Sequence, residues 1–187
     1  FTVTLLSKIK TGVLFGAAFF VIFGGSLLLA FHLSRSPLFG YEGYGTGFRL
    51  PLQEMGPGLL KVLIPIVALV FSLFAAASGS AQWENFLRFL NPSAFGVPDP
   101  LFNQDIGFYV FQLPFLIHLY GWLKFVLLLT LAATGFLYLI RRSFLFIPPR
   151  VWKIAPAARI HLALLVACFF FWGVFGTWLD LNDLLFT

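Results

Sequence analysis

Charge is scarce in this chain. About a tenth of its 187 residues are charged and 60% are hydrophobic, whereas a soluble domain carries roughly a quarter charged. That balance excludes an ordinary soluble domain and marks an integral membrane protein. Cysteine is nearly absent. Cys168 stands alone in an apolar run, so no disulfide and no cysteine-built metal site can form within the chain. No Ser/His/Asp set, no HExxH and no carboxylate pair at membrane depth is present, so the chain is read as non-enzymatic. The Gly-rich run at 40–47, GYEGYGTG, has neither the lysine nor the preceding strand of a phosphate cradle, and 36–58 reads as a connecting loop. The formal charge of +5 does not point to nucleic acid either. The cations sit at the edges of apolar runs, as membrane-flanking anchors do.

Four such runs are long enough to cross a bilayer, at about 11–34, 62–81, 115–140 and 160–179, since a helix needs about 20 apolar residues. Gly12 and Gly16 form a GxxxG, and AAASGSA closes the second run. Both read as small-residue faces for close helix packing within this protein. Pro65 is expected in the first turn of its helix. WENFLRFL, at 83–90, has the spacing of a short amphipathic helix lying in the interface. After it the prolines at 92, 98, 100 and 114 exclude a continuous helix, and IGFYVFQL has the composition of an extended segment. The closing WLDLNDLLF suggests a further short surface helix around Leu179, Leu181 and Leu184. The fold class predicted is all-α integral membrane, with a Pro- and aromatic-rich capping segment at 83–115. The whole of 1–187 reads as one transmembrane module of a longer chain.

Orientation follows from the loops. The 141–159 loop carries Arg141, Arg142, Arg150, Lys153 and Arg159 without a carboxylate, which places it in the cytoplasm. Segment 83–114, with Glu84, Asp99 and Asp105 against Arg88, is then external, in a bacterial inner membrane. Lys8 and Lys10 on that outer side are a mild violation.

The run LRFLNPSAFGVPDPLFNQDIGFYVFQLPF, from 87 to 115, resembles a signature of the UPF0182 family of bacterial membrane proteins. ARIHL at 158–162 and WLDLNDLLF at 178–186 are similar to it as well, in the same order. The resemblance implies a protein with about seven membrane helices and a large external C-terminal part, of which this chain would be the second to fifth helices. Asn103 stands where that family's pattern leads one to expect Gly. The family transfers no catalytic residue.

Several residues invite sharper readings. His32 and His161 fall at the same end of their spans, where a haem or chlorophyll between them is conceivable, with interfacial end residues as the preferred reading. His118 belongs to the opposite face. Asp99 and Asp105 offer a cation site, against a turn in which the carboxylates bond nearby amides. Lys124, about 16 residues from Arg141, lies near the far headgroup boundary and can snorkel. The interaction candidates are Trp83, Phe95, Asp99, Asp105, Phe108, Tyr109 and Phe111, which would meet the protein's own missing C-terminal region or other membrane subunits. A scaffold is the leading reading. A transporter component and an accessory subunit of a photosynthetic or respiratory complex are the alternatives.

Overall fold

The computed structural model describes residues 2–34, 56–141, 143–147 and 151–183; the Gly-rich loop reading at 36–58 lies almost wholly outside them. Four helical rods are long and apolar enough to cross a membrane: Thr2–Leu33, Pro57–Ala81, Phe108–Ile140 and Pro156–Asp183. The first consists of α1 (Thr2–Phe19), a wide π turn at Phe20–Gly24, and α2 (Gly25–Leu33). The second is α3 (Pro57–Ala81), entered from Gly56 in extended backbone with Pro57 at the first turn, where no amide hydrogen is missed. A short amphipathic α4 (Trp83–Leu90) follows, as expected from its spacing. The third rod joins a π turn at Phe108–Gln112 to α5 (Leu113–Ile140), and the fourth is α6 (Pro156–Asp183).

The rods are longer than the apolar runs, and the reasons are local. The first starts at Thr2 rather than Thr11, because helical winding continues through Lys8 and Lys10, and the Lys8 ammonium lies over the Trp83 ring at 5.8 Å. Pro65 therefore sits inside α3, not in its first turn. IGFYVFQL is helical rather than extended. The Asp105 carboxylate and carbonyl accept the amides of Gly107 and Phe108, which starts the winding. The Leu113 amide then reaches back five residues to the Phe108 carbonyl. That wide turn sits where the Pro114 ring would crowd a regular α-turn, and it lets the chain enter α5 without a break. The surface helix expected near Leu179 is instead the end of α6, where buried Asn182 donates to the Trp178 carbonyl at 2.7 Å; Leu184 lies outside the described residues.

The described residues of 141–159 include two strands. Strands β1 (Phe144–Ile147) and β2 (Val151–Ile154) pair antiparallel with Phe144 opposite Ile154 and Ile147 opposite Val151. FLFI and VWKI have the aromatic and β-branched content that suits such a ladder.

The core is a file of phenylalanines on the first rod, with Phe15, Phe19, Phe23 and Phe31 all nearly inaccessible, closed by Ile64 and Ala68 of α3 and Val126 and Leu137 of α5. The GxxxG does what its small residues permit. A Cβ on Gly12 would meet the Ala76 carbonyl at 2.9 Å, and one on Gly16 the Ala76 Cβ at 3.0 Å, so α1 lies directly on α3. By contrast α6 turns most of its length outward, exposing Ile160, Leu164, Phe170, Phe171 and Val174.

Candidate functional site

The end of the bundle away from the basic 141–159 segment is built from α4 and the non-helical segment 91–107. Phe86 and Phe89 of α4 rest on Phe115, at ring distances of 5.4 and 4.9 Å, and Phe115 in turn meets Phe15 of α1 edge-on. The segment folds back on itself through one antiparallel bridge, Pro98 opposite Asp105. Asp99 closes the tip: its carboxylate accepts the amides of Leu101 at 3.1 Å and Phe102 at 2.7 Å, and its own amide donates to the Gln104 carbonyl at 2.7 Å. Asp105 closes the base by accepting the amides of Phe95 (3.0 Å), Gly96 (2.8 Å) and Gly107 (2.7 Å). The Phe95 amide, followed by those of Gly107 and Gly96, holds the Asp105 carboxyl below the ordinary aspartate range.

Two backbone positions in this loop are left-handed, Gly96 at φ 69° and Asn103 at φ 54°. Asparagine is the residue besides glycine that adopts this region most readily. Asn103 therefore completes this turn without a glycine.

Both carboxylates are thus turned onto the loop's own amides, which is the turn arrangement rather than an open pair of ligands. Among the described residues no group of three His, Cys, Asp or Glu side chains lies close enough to hold a metal ion. Six apolar side chains are exposed at this end, Phe95, Val97, Leu101, Phe102, Ile106 and Val110, with Leu101 at 72%, beside the exposed polar Ser93, Asn103 and Gln104. Of the seven interaction candidates, Phe95 belongs to this surface. Its ring also stacks on half-buried Phe111, 5.9 Å away and 5° from parallel. Trp83 and Phe108 are half-buried and Tyr109 is buried within the bundle's own packing. Val97, Leu101, Phe102, Ile106 and Val110 were not legible as a surface. Which apolar side chains of a non-helical loop face outward depends on its turns, and no periodicity records that.

A second polar constellation lies at the opposite, basic end, and it gathers three rods. Ser26 of α2 shares a hydrogen bond of 2.9 Å with Thr134 of α5 and one of 3.3 Å with His161 Nε2 of α6. The other ring nitrogen of His161 meets the Tyr138 hydroxyl at 2.9 Å. Thr134 and Tyr138 are fully buried, and His161 nearly so. His161 is therefore an interior residue rather than a polar helix end, with both ring nitrogens engaged. His32 is exposed, and its Nδ1 donates to the Leu28 carbonyl of its own helix. The two histidines are not brought together. His118 is at the other end, 5.9 Å from the Phe15 ring, with its Nε2 buried and unpaired. What the sequence concealed here is Ser26, whose side chain reaches this junction just after the π turn at Phe20–Gly24 has widened the winding.

Comparison with known proteins bears on the whole chain. A UPF0182 protein of Trichlorobacter lovleyi is 36% identical over 169 residues, covering 90% of this chain and 19% of the relative. One from Geobacter sulfurreducens is 35% identical over 190 residues, covering 99% of this chain and 21% of the relative. One from Kocuria rhizophila reaches 42% over 128 residues. The chain thus spans about a fifth of the length of curated relatives that it matches end to end. No solved structure matches it. With a family model, described as an uncharacterised protein family, matching residues 1–187 throughout, the chain belongs to UPF0182.

Proposed function

We propose that this chain is the membrane-embedded helical module of a longer protein, with a structural role, and that hairpin 91–107 is the platform on which the rest of that protein docks. The observation that carries this reading is the hairpin itself. It is pinned by five amide–carboxylate hydrogen bonds, yet it offers the outside a set of apolar side chains. A set of exposed apolar side chains held on a fixed loop suits an interaction site. Lipid-binding wedges place Lys or Arg beside their apolar residues. Here no cation occurs between Arg88 and Lys124, so a protein surface fits better than lipid headgroups. The relatives carry about four-fifths of their length beyond the part matched here, which supplies an occupant.

The positive-inside pattern puts β1 and β2 in the cytoplasm and the hairpin outside, in a bacterial inner membrane. Neither a transport path nor a pigment site has comparable support. The polar side chains of the His161 junction are paired with one another, and both ring nitrogens of His161 are engaged. The reading assigns no catalytic residue.

The test is a double substitution, Leu101→Asp with Phe102→Asp, in the full-length protein. Docking predicts normal insertion and normal helix content, with the remaining region released to proteolysis. An unchanged digestion pattern would refute the platform.

A further inference from the structure

Lys124 lies at the middle of the third rod, Phe108–Ile140, and its surroundings form a small site at the α5–α6 seam. Tyr120 sits one turn before it. The Tyr120 carbonyl accepts the Trp172 indole N–H at 3.1 Å, and the two rings stack at 6.1 Å. The Tyr120 hydroxyl end lies against Gly176, where any Cβ would collide with it. Tyr120 is thereby held by α6 from two sides. The Lys124 ammonium reaches the Tyr120 hydroxyl at 3.3 Å and lies 5.3 Å from the ring centre. Lys124 is exposed and flanked by the exposed Phe125 and Leu128. The ion pair among the described residues is Arg88–Glu84, so Lys124 has no carboxylate partner there.

Depth decides what such a group can meet. Tyr120 lies 20 residues from the basic end of α5 and Gly176 lies 20 residues from that of α6, and the two touch. Twenty residues rise about 30 Å, the thickness of the hydrocarbon. The level of Tyr120 is thus the outer hydrocarbon boundary, and the Lys124 backbone lies one turn deeper. Side chains on a helix lean toward its N-terminus. In α5 that direction is outward, so the lysine stem spans the turn and delivers its ammonium to the boundary beside a hydroxyl donor. A cation and a hydroxyl presented together at that level match a phosphate.

We propose that Lys124 and Tyr120 form a binding site for the phosphate of one anionic phospholipid in the outer leaflet, an assignment independent of how hairpin 91–107 is used. The test is native mass spectrometry of the full-length protein, purified in mild detergent and supplemented with phosphatidylglycerol. Parent protein and Lys124→Arg are expected to retain one phosphatidylglycerol. Lys124→Gln should retain about fivefold less, what one cation near an anionic surface contributes. Lys8→Gln, which removes a boundary cation elsewhere, should retain as much as the parent. Equal retention by Lys124→Gln and the parent would overturn the site, as would an equal loss in Lys8→Gln. Inorganic phosphate competing as well as the lipid, or carbodiimide coupling of Lys124 to a carboxylate of the protein, would overturn the lipid assignment.

Discussion

The two ends of this bundle solve the same problem in opposite ways. At the basic end, polar side chains from α2, α5 and α6 pair across helices, with Thr134, Tyr138 and His161 buried and Ser26 half-buried among them. At the hairpin end, Asp99 and Asp105 pair with the backbone of their own loop and leave Leu101, Phe102 and Ile106 exposed. The first arrangement spends its hydrogen bonds on helix association, which in a bilayer gains little from apolar burial alone. The second spends them on holding a loop in one shape, and so presents a fixed apolar surface at an entropic cost already met before binding. One end is closed and the other is prepared.

Substitutions can break this contrast. The largest effect is expected from His161→Leu, which leaves the buried Tyr138 hydroxyl without its partner and removes one of the two partners of Ser26, and should lower stability by about 2 kcal/mol, read as a loss in thermal unfolding temperature in detergent. At the hairpin end, Asn103→Val should cost about 1 kcal/mol by forcing a β-branched residue into left-handed backbone, whereas Asn103→Gly should be neutral. A smaller effect still is expected from Leu101→Ser, within about 0.5 kcal/mol of the parent because an exposed side chain contributes little to this fold on its own. That near-neutrality, together with lost docking, would sharpen the distinction between a surface that stabilises and one that binds. The last prediction has no effect at neutral pH. Because the folded-state pKa of Asp105 is lowered, its contribution is fully present above the ordinary aspartate value of about 3.9 and is lost as the pH falls through the lower, folded value. Limited proteolysis at 95–107 should therefore accelerate only in strong acid, and Asp105→Asn should remove that dependence.

Much of the architecture was legible because a membrane imposes it. Apolar runs of sufficient length located all four rods, and the spacing in WENFLRFL located α4. The Gly12–Gly16 face found its partner in the AAASGSA stretch of α3. Boundaries were less legible. Helical winding can continue past the hydrocarbon wherever packing or a side-chain bond supports it, as Lys8 on Trp83 and Asp105 on Gly107 do. The composition of IGFYVFQL favoured a strand, and the cap from Asp105 with the wide turn before Pro114 outweighed it. Asp99 and Asp105 were recognisable as turn residues, but the partners of Asp105 were not, because Phe95 and Gly96 lie ten and nine positions from it. The His161 junction joins positions up to 135 residues apart, and no local pattern announces it.

The most direct test of the closed-and-prepared account is photo-crosslinking from the hairpin tip. With a benzophenone side chain in place of Leu101 in the full-length protein, in its native membrane, the account predicts an intramolecular crosslink to a segment of the same polypeptide outside the part described here. Crosslinks to lipid alone would contradict it, because the apolar surface would then face the bilayer and the hairpin would be an anchor rather than a platform.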